Sequence, residues 1–85
     1  MITGNQIRAA RAALAWSADH LAERSGVSLR TVLRFEQVDG VPPSRSSTLQ
    51  DVKRALEAGG IEFIGSPDDR PGIRISKIPK NSESG

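Results

Sequence analysis

Apolar and polar positions follow a helical period over roughly the first sixty residues and a shorter, strand-like period after them. Ile7, Ala10 and Leu14 share one face at helical spacing and predict a first helix over residues 4–15. A second, over residues 18–25, stops at Gly26, which adopts left-handed backbone without a Cβ clash. A third spans residues 29–37, so close behind the second that the two must cross steeply. Gly40, Pro42 and Pro43 predict a loop over residues 38–46. Leu49, Val52 and Leu56 mark a fourth helix that begins near Ser47 or Thr48, with Gln50 or Asp51 as capping partner, and ends at Gly59 and Gly60. Residues 61–64 and 73–76 are short β-prone runs, and the prolines and aspartates between them predict a hairpin with a long loop over residues 65–72. Residues 77–85 are polar and expected to fray.

Three helix starts use the same chemistry. Thr3 with Gln6 forms a capping-box pattern, and Ile2 and Ile7 occupy the flanking staple positions. Ser17 is placed to cap the second helix, with Trp16 and Leu21 as its staple; Ser28 is placed likewise between Val27 and Val32. The expected architecture is mainly α: a helical unit over residues 1–60, a β-hairpin over 61–78, and a disordered tail over 79–85.

Eighty-five residues leave room for one small domain. No cysteine is present, which excludes disulfides, thiolate metal sites and cysteine nucleophiles, and fits a reducing cytosol. The apolar run at residues 12–16 is far too short to span a bilayer and lacks a secretory layout, so no membrane partner and a cytoplasmic location are expected. Net charge is only +2, but its distribution is uneven. In residues 1–35, Arg8, Arg11, Arg24, Arg30 and Arg34 face only Asp19 and Glu23, a local excess of +3.

The second and third helices fit a helix-turn-helix pattern. Ala22 is small where the helices approach, Gly26 sits at the turn, and Leu21, Val27, Val32 and Phe35 supply the apolar contacts. Ser25 departs from it, being polar where an apolar residue is usual. At 100° per residue, Val32 and Phe35 face inward while Arg30 and Arg34 point the other way. Two guanidiniums on an exposed face suit guanine edges or phosphates, whereas on an isolated helix they would be a solvated surface. Leu29 and Leu33 lie on one flank, placed for thymine methyl groups; packing between helices explains Leu29 equally well.

With Leu21-Ala22, Gly26-Val27, Val32 and Phe35-Glu36 inside a four-helix frame, residues 2–60 resemble the Cro/repressor-type (XRE) helix-turn-helix regulators. The segments IEFIG and RPGIRI more loosely resemble the short C-terminal extension of a compact bacterial subgroup of that family. The resemblance implies a four-helix, lambda-repressor-like DNA-binding domain. It implies DNA contacts from Ser17 and Ala18 at the start of the second helix, and from Ser28, Leu29, Arg30, Thr31, Leu33 and Arg34 on the third. Ser17 would hold a phosphate with its hydroxyl and the free N–H groups of the helix terminus, although simple N-capping explains it too. Ala18 lacks the amide side chain common at that position and would contribute backbone only. The resemblance further implies an ion pair between Arg11 and Glu36; the alternative is two independent surface charges.

No enzyme chemistry announces itself. His20 is the only histidine, which makes metal binding improbable, and Asp68-Asp69 is better explained as turn chemistry. No catalytic residue, metal or cofactor is expected. The leading reading is a sequence-specific regulator of double-stranded DNA acting as a homodimer. Its rival is an antitoxin-like module that binds a small protein partner through the segment after Gly60. For the dimer, Ile61, Phe63, Ile64, Ile73, Ile75 and Ile78 are unusually apolar for a ribbon, and two hairpins joining edges would form a four-stranded sheet. The competing arrangement folds the hairpin back on its own bundle.

Overall fold

The structure, a computed structural model, describes residues 1–75. Four helices are followed by one antiparallel hairpin: α1 (Gly4–Leu14), α2 (Ala18–Ser25), α3 (Leu29–Glu36), α4 (Ser46–Ala58), β1 (Ile61–Ser66) and β2 (Asp69–Ile75). Ile78 and the expected tail lie outside the described residues.

The first three helices begin where side-chain oxygen satisfies free backbone N–H groups. Thr3 Oγ1 accepts from the Gln6 amide at 3.1 Å, and Gln6 Oε1 accepts from the Thr3 amide at 2.8 Å, closing the capping box. Ser17 Oγ accepts from the His20 amide and Ser28 Oγ from the Thr31 amide. Of the staple residues, Ile2, Ile7, Leu21, Val27 and Val32 are buried and Trp16 is half-buried. α4 departs from expectation. It starts at Ser46, one or two residues early, with Arg45 in the capping position and no side-chain hydrogen bond there.

The helix ends also differ from the periodic reading. α1 stops at Leu14 because Ala15 is left-handed (φ 57°), its N–H closing the helix on the Arg11 and Ala12 carbonyls. α3 stops at Glu36, leaving Gln37 as its C-cap. Gly26 takes the expected left-handed turn at φ 74°. Ser25 has a local role: its hydroxyl donates to the Ala22 carbonyl and accepts from the Val27 amide, so the turn's own backbone satisfies it. Left-handed backbone costs an alanine about 1–2 kcal/mol. Ala15→Gly is therefore expected to raise stability by about 0.5–1 kcal/mol after the added chain entropy is counted. A denaturant midpoint that falls would contradict this.

Phe35, Ile7, Leu21, Val32, Val52 and Leu56 form the fully enclosed centre, with Ile2, Ala10, Val27, Leu49, Ala55 and Ile61 around them. Each large side chain among these contributes roughly 1.5–3 kcal/mol through burial. Leu14, Trp16, Ala18, Ala22, Phe63 and Ile73 pack on its margin.

The hairpin is tighter than its sequence suggests. The expected eight-residue loop is instead a turn at Pro67 and Asp68, with Ser66 opposite Asp69, and a register irregularity between Ile64 and Ser66. Left-handed backbone at Gly65 (φ 75°) and Arg70 (φ 51°) lets the strands continue to the turn. A Cβ at Gly65 would come within 2.2 Å of the Arg70 carbonyl oxygen. Pro71 is tolerated because the sheet has only two strands among the described residues, so a strand can lack one donor on its open side. Ile61 pairs with Ile75 and Phe63 with Ile73, which puts all four on one face, with Ile64 on the other.

Gln6 ties this hairpin to α1. Its Nε2 donates to the Gly72 carbonyl at 2.8 Å and to the Ile64 carbonyl at 3.2 Å while its Oε1 serves the cap. Gln6→Ala removes all three bonds and should cost about 1–3 kcal/mol. Amide exchange in β1 and β2 should accelerate more than exchange in α2 and α3; acceleration confined to α1 would show that Gln6 supports only its own helix. No helix among the described residues is long and apolar enough to cross a membrane.

Candidate nucleic-acid interface

α3 is held from behind and open in front. Val32, Phe35 and Glu36 are buried, whereas Leu29, Arg30, Leu33, Arg34 and Gln37 are exposed. Arg30, Leu33, Arg34 and Gln37 line a shallow depression of about 360 Å³ along that outer face. Neither Arg30 nor Arg34 has a carboxylate partner among the described residues, and the Arg34 guanidinium lies 5.9 Å from the Phe35 ring centroid. Unpaired, solvated guanidiniums are available to an external anion or hydrogen-bond acceptor. Leu33 is 44% exposed and Leu29 37%, on a helix whose inner face is fully enclosed.

Ser28 and Thr31 sit at the leading end of α3. Ser28 is exposed and its hydroxyl donates to Thr31 Oγ1 at 3.0 Å; Thr31 is half-buried. At the start of α2, Ser17 is exposed and caps the helix, while Ala18 is half-buried against the core. Thus capping occupies the Ser17 acceptor and leaves its hydroxyl proton free to donate. Asp19 and Glu23 are also exposed on α2.

Two arginines of α1 fix the far end of α3. Arg11 makes a two-pronged pair with Glu36, Nε to Oε2 at 2.8 Å and a terminal nitrogen to Oε1 at 2.9 Å. Its other terminal nitrogen donates to the Trp16 carbonyl at 2.9 Å. Hydrogen bonding to Glu36 raises the Arg11 pKa above its ordinary value, against the opposing effect of partial burial. One turn earlier, Arg8 donates to the Glu36 and Val38 carbonyls and to Asn5 and Asp39, the last at 2.9 Å. A cation on the last carbonyls of a helix complements its negative end. Gly4 brings α1 close at the same place, since a Cβ there would lie 1.9 Å from the Val38 carbonyl oxygen.

Arg8 and Gln6 are the positioning residues that sequence reasoning did not single out. Arg8 counted only as positive charge and Gln6 only as a cap partner, though Arg8 and Arg11, three apart on one helix, share a side. The residues considered for dimerisation divide into two groups. Ile61 is buried, Phe63 and Ile73 pack against the bundle of their own chain, and Ile64 and Ile75 are 36% and 46% exposed. Beyond them, Arg74 grips Glu62 with two hydrogen bonds, at 3.1 and 3.0 Å, holding the Glu62 carboxyl below its ordinary pKa.

Among the described residues no group of three or more His, Cys, Asp or Glu side chains is arranged to hold a metal ion. Compared with protein-family models and with curated protein sequences, the chain matches none.

Proposed function

We propose that this chain is a sequence-specific double-stranded DNA-binding regulator of the Cro/repressor (XRE) type, with a lambda-repressor-like helical domain and no enzymatic activity. In this reading α2 and α3 form the helix-turn-helix, and α3 enters the major groove. The observation that carries it is the two-sided character of α3. Its inner face is enclosed and clamped by Arg8 and Arg11, while Arg30 and Arg34 stand on the outer face without carboxylate partners among the described residues. A rigidly held helix with free guanidiniums can discriminate bases, because bidentate pairing to guanine O6 and N7 demands fixed geometry.

Phosphate contacts supply most of the affinity in such a complex. Ser17, Ser28 and Thr31 are placed at the leading ends of the two helices, where free N–H groups favour anions. Selection of bound sequences from a random duplex library tests the proposal. A recurring site whose affinity falls as salt rises supports it; no enrichment over the starting library at low salt rejects it.

A homodimer belongs to the same reading. Family members place two recognition helices about one DNA turn apart, and each strand of this hairpin has one edge without a partner strand among the described residues. Edge pairing through β1 would lay a second hairpin beside Ile64, and pairing through β2 would lay it beside Ile75. Deleting the whole hairpin would be a poor test, because Ile61 belongs to the core. Ile64→Asp with Ile75→Asp is expected to shift a sedimenting dimer to monomer at micromolar concentration while leaving the helical signal intact. An unchanged dimer would place the interface elsewhere.

A further inference from the structure

α1 and α4 end beside the start of α2, and the three leave a groove of about 390 Å³ lined by Ala13, Leu14, Trp16, His20, Arg24, Ala58 and Gly59. The lining has two halves. Leu14, Trp16 and the alanines form an apolar wall, brought close by Gly59, whose Cβ would meet Leu14 and Trp16 at 2.9 Å. Against Trp16 itself lie two nitrogen-bearing groups: the His20 ring, edge-on with centroids 4.8 Å apart, and the Arg24 guanidinium, over the indole at 5.4 Å from its centroid. No carboxylate lines the groove, and Arg24 has no carboxylate partner among the described residues. The closing carbonyls of Arg11, Ala12, Ala55, Leu56 and Glu57 are already taken by backbone N–H groups. Among the side chains that line the groove, the polar groups offered to a ligand are the donors of Arg24 and His20. The volume falls in the range of small-molecule sites.

We propose that this groove binds a small planar carboxylate. The ligand's ring lies against Trp16, Leu14 and Ala58, and its carboxylate accepts hydrogen bonds from Arg24 and His20. An apolar wall alone would take any greasy molecule and a guanidinium alone any anion. The combination within one short groove selects for both properties in one ligand. This proposal stands independently of DNA binding.

Trp16 is the chain's only tryptophan, so its fluorescence reports on this groove alone. Benzoate is the probe, with benzyl alcohol as its neutral counterpart and inorganic phosphate as an anion without a ring. Benzoate should change Trp16 emission saturably, with half-saturation at about 1 mM or below, and should shift the His20 ring resonances in the same range. Arg24→Gln, at an exposed position, should keep the helical signal and weaken benzoate by roughly tenfold or more. Non-saturating quenching, an equal response to benzyl alcohol or phosphate, or unchanged binding in Arg24→Gln would overturn the proposal. So would Trp16 emission that varies with protein concentration in the absence of probe, which would assign the groove to a second copy of the chain.

Discussion

Replacing Arg30 and Arg34 together with alanine should remove sequence-specific DNA binding without unfolding the protein. Each base-reading arginine is worth about 1–3 kcal/mol of discrimination, so the double variant loses about 2–6 kcal/mol if both read bases. The fold should survive because both side chains are exposed and α3 is anchored through Val32, Phe35 and Glu36. The single variants separate two roles. An arginine on a base edge relaxes specificity at one position, whereas an arginine on a phosphate weakens all duplexes alike and lowers the salt slope by about one. Anisotropy titrations with the selected duplex, repeated at several salt concentrations, read both quantities. Equal affinity of the double variant at matched salt would remove α3 as the reading element.

Breaking the Arg11–Glu36 pair should cost more stability when the arginine is lost than when the glutamate is. Glu36 is 8% exposed and Arg11 26%. Arg11→Ala strands a carboxylate that water barely reaches, at a cost of about 3–5 kcal/mol. Glu36→Ala leaves a guanidinium that still donates to the Trp16 carbonyl and is partly hydrated, so the loss should be nearer 2 kcal/mol. Glu36→Gln keeps an acceptor and should fall between Glu36→Ala and the parent. Urea midpoints at neutral pH test the order. Equal losses for Arg11→Ala and Glu36→Ala would mean that packing, not the stranded charge, sets the cost. Both variants should also loosen the end of α3, which Arg8 would then hold alone.

Local chemistry made the helices legible. The Thr3, Ser17 and Ser28 caps and the left-handed Gly26 act within four residues of themselves, so their sequence positions place the starts of α1, α2 and α3 and the end of α2. Where no such signal exists, the reading slipped. Ala15 has no intrinsic preference for left-handed backbone, and α1 ends there because Trp16 must turn back toward Arg11 and the margin of the core. The hairpin slipped for a related reason. Proline and aspartate runs suggest loop, yet positive φ at Gly65 and at Arg70 carries the strands up to Pro67 and Asp68. A non-glycine residue in that conformation cannot be foreseen from its type.

On its own, the sequence determined the periodicity of the chain, three of its caps and which side of α3 carries the arginines, because each depends on residues one to four positions apart. Tertiary structure alone decided which groups distant in the chain come together. Gln6 reaches carbonyls 58 and 66 residues away, and Arg8 reaches the end of a helix 28 residues away. The groove at Trp16 draws its walls from three helices. Such contacts join side chains to backbone atoms, which every residue possesses, so the sequence carries no mark of the partner.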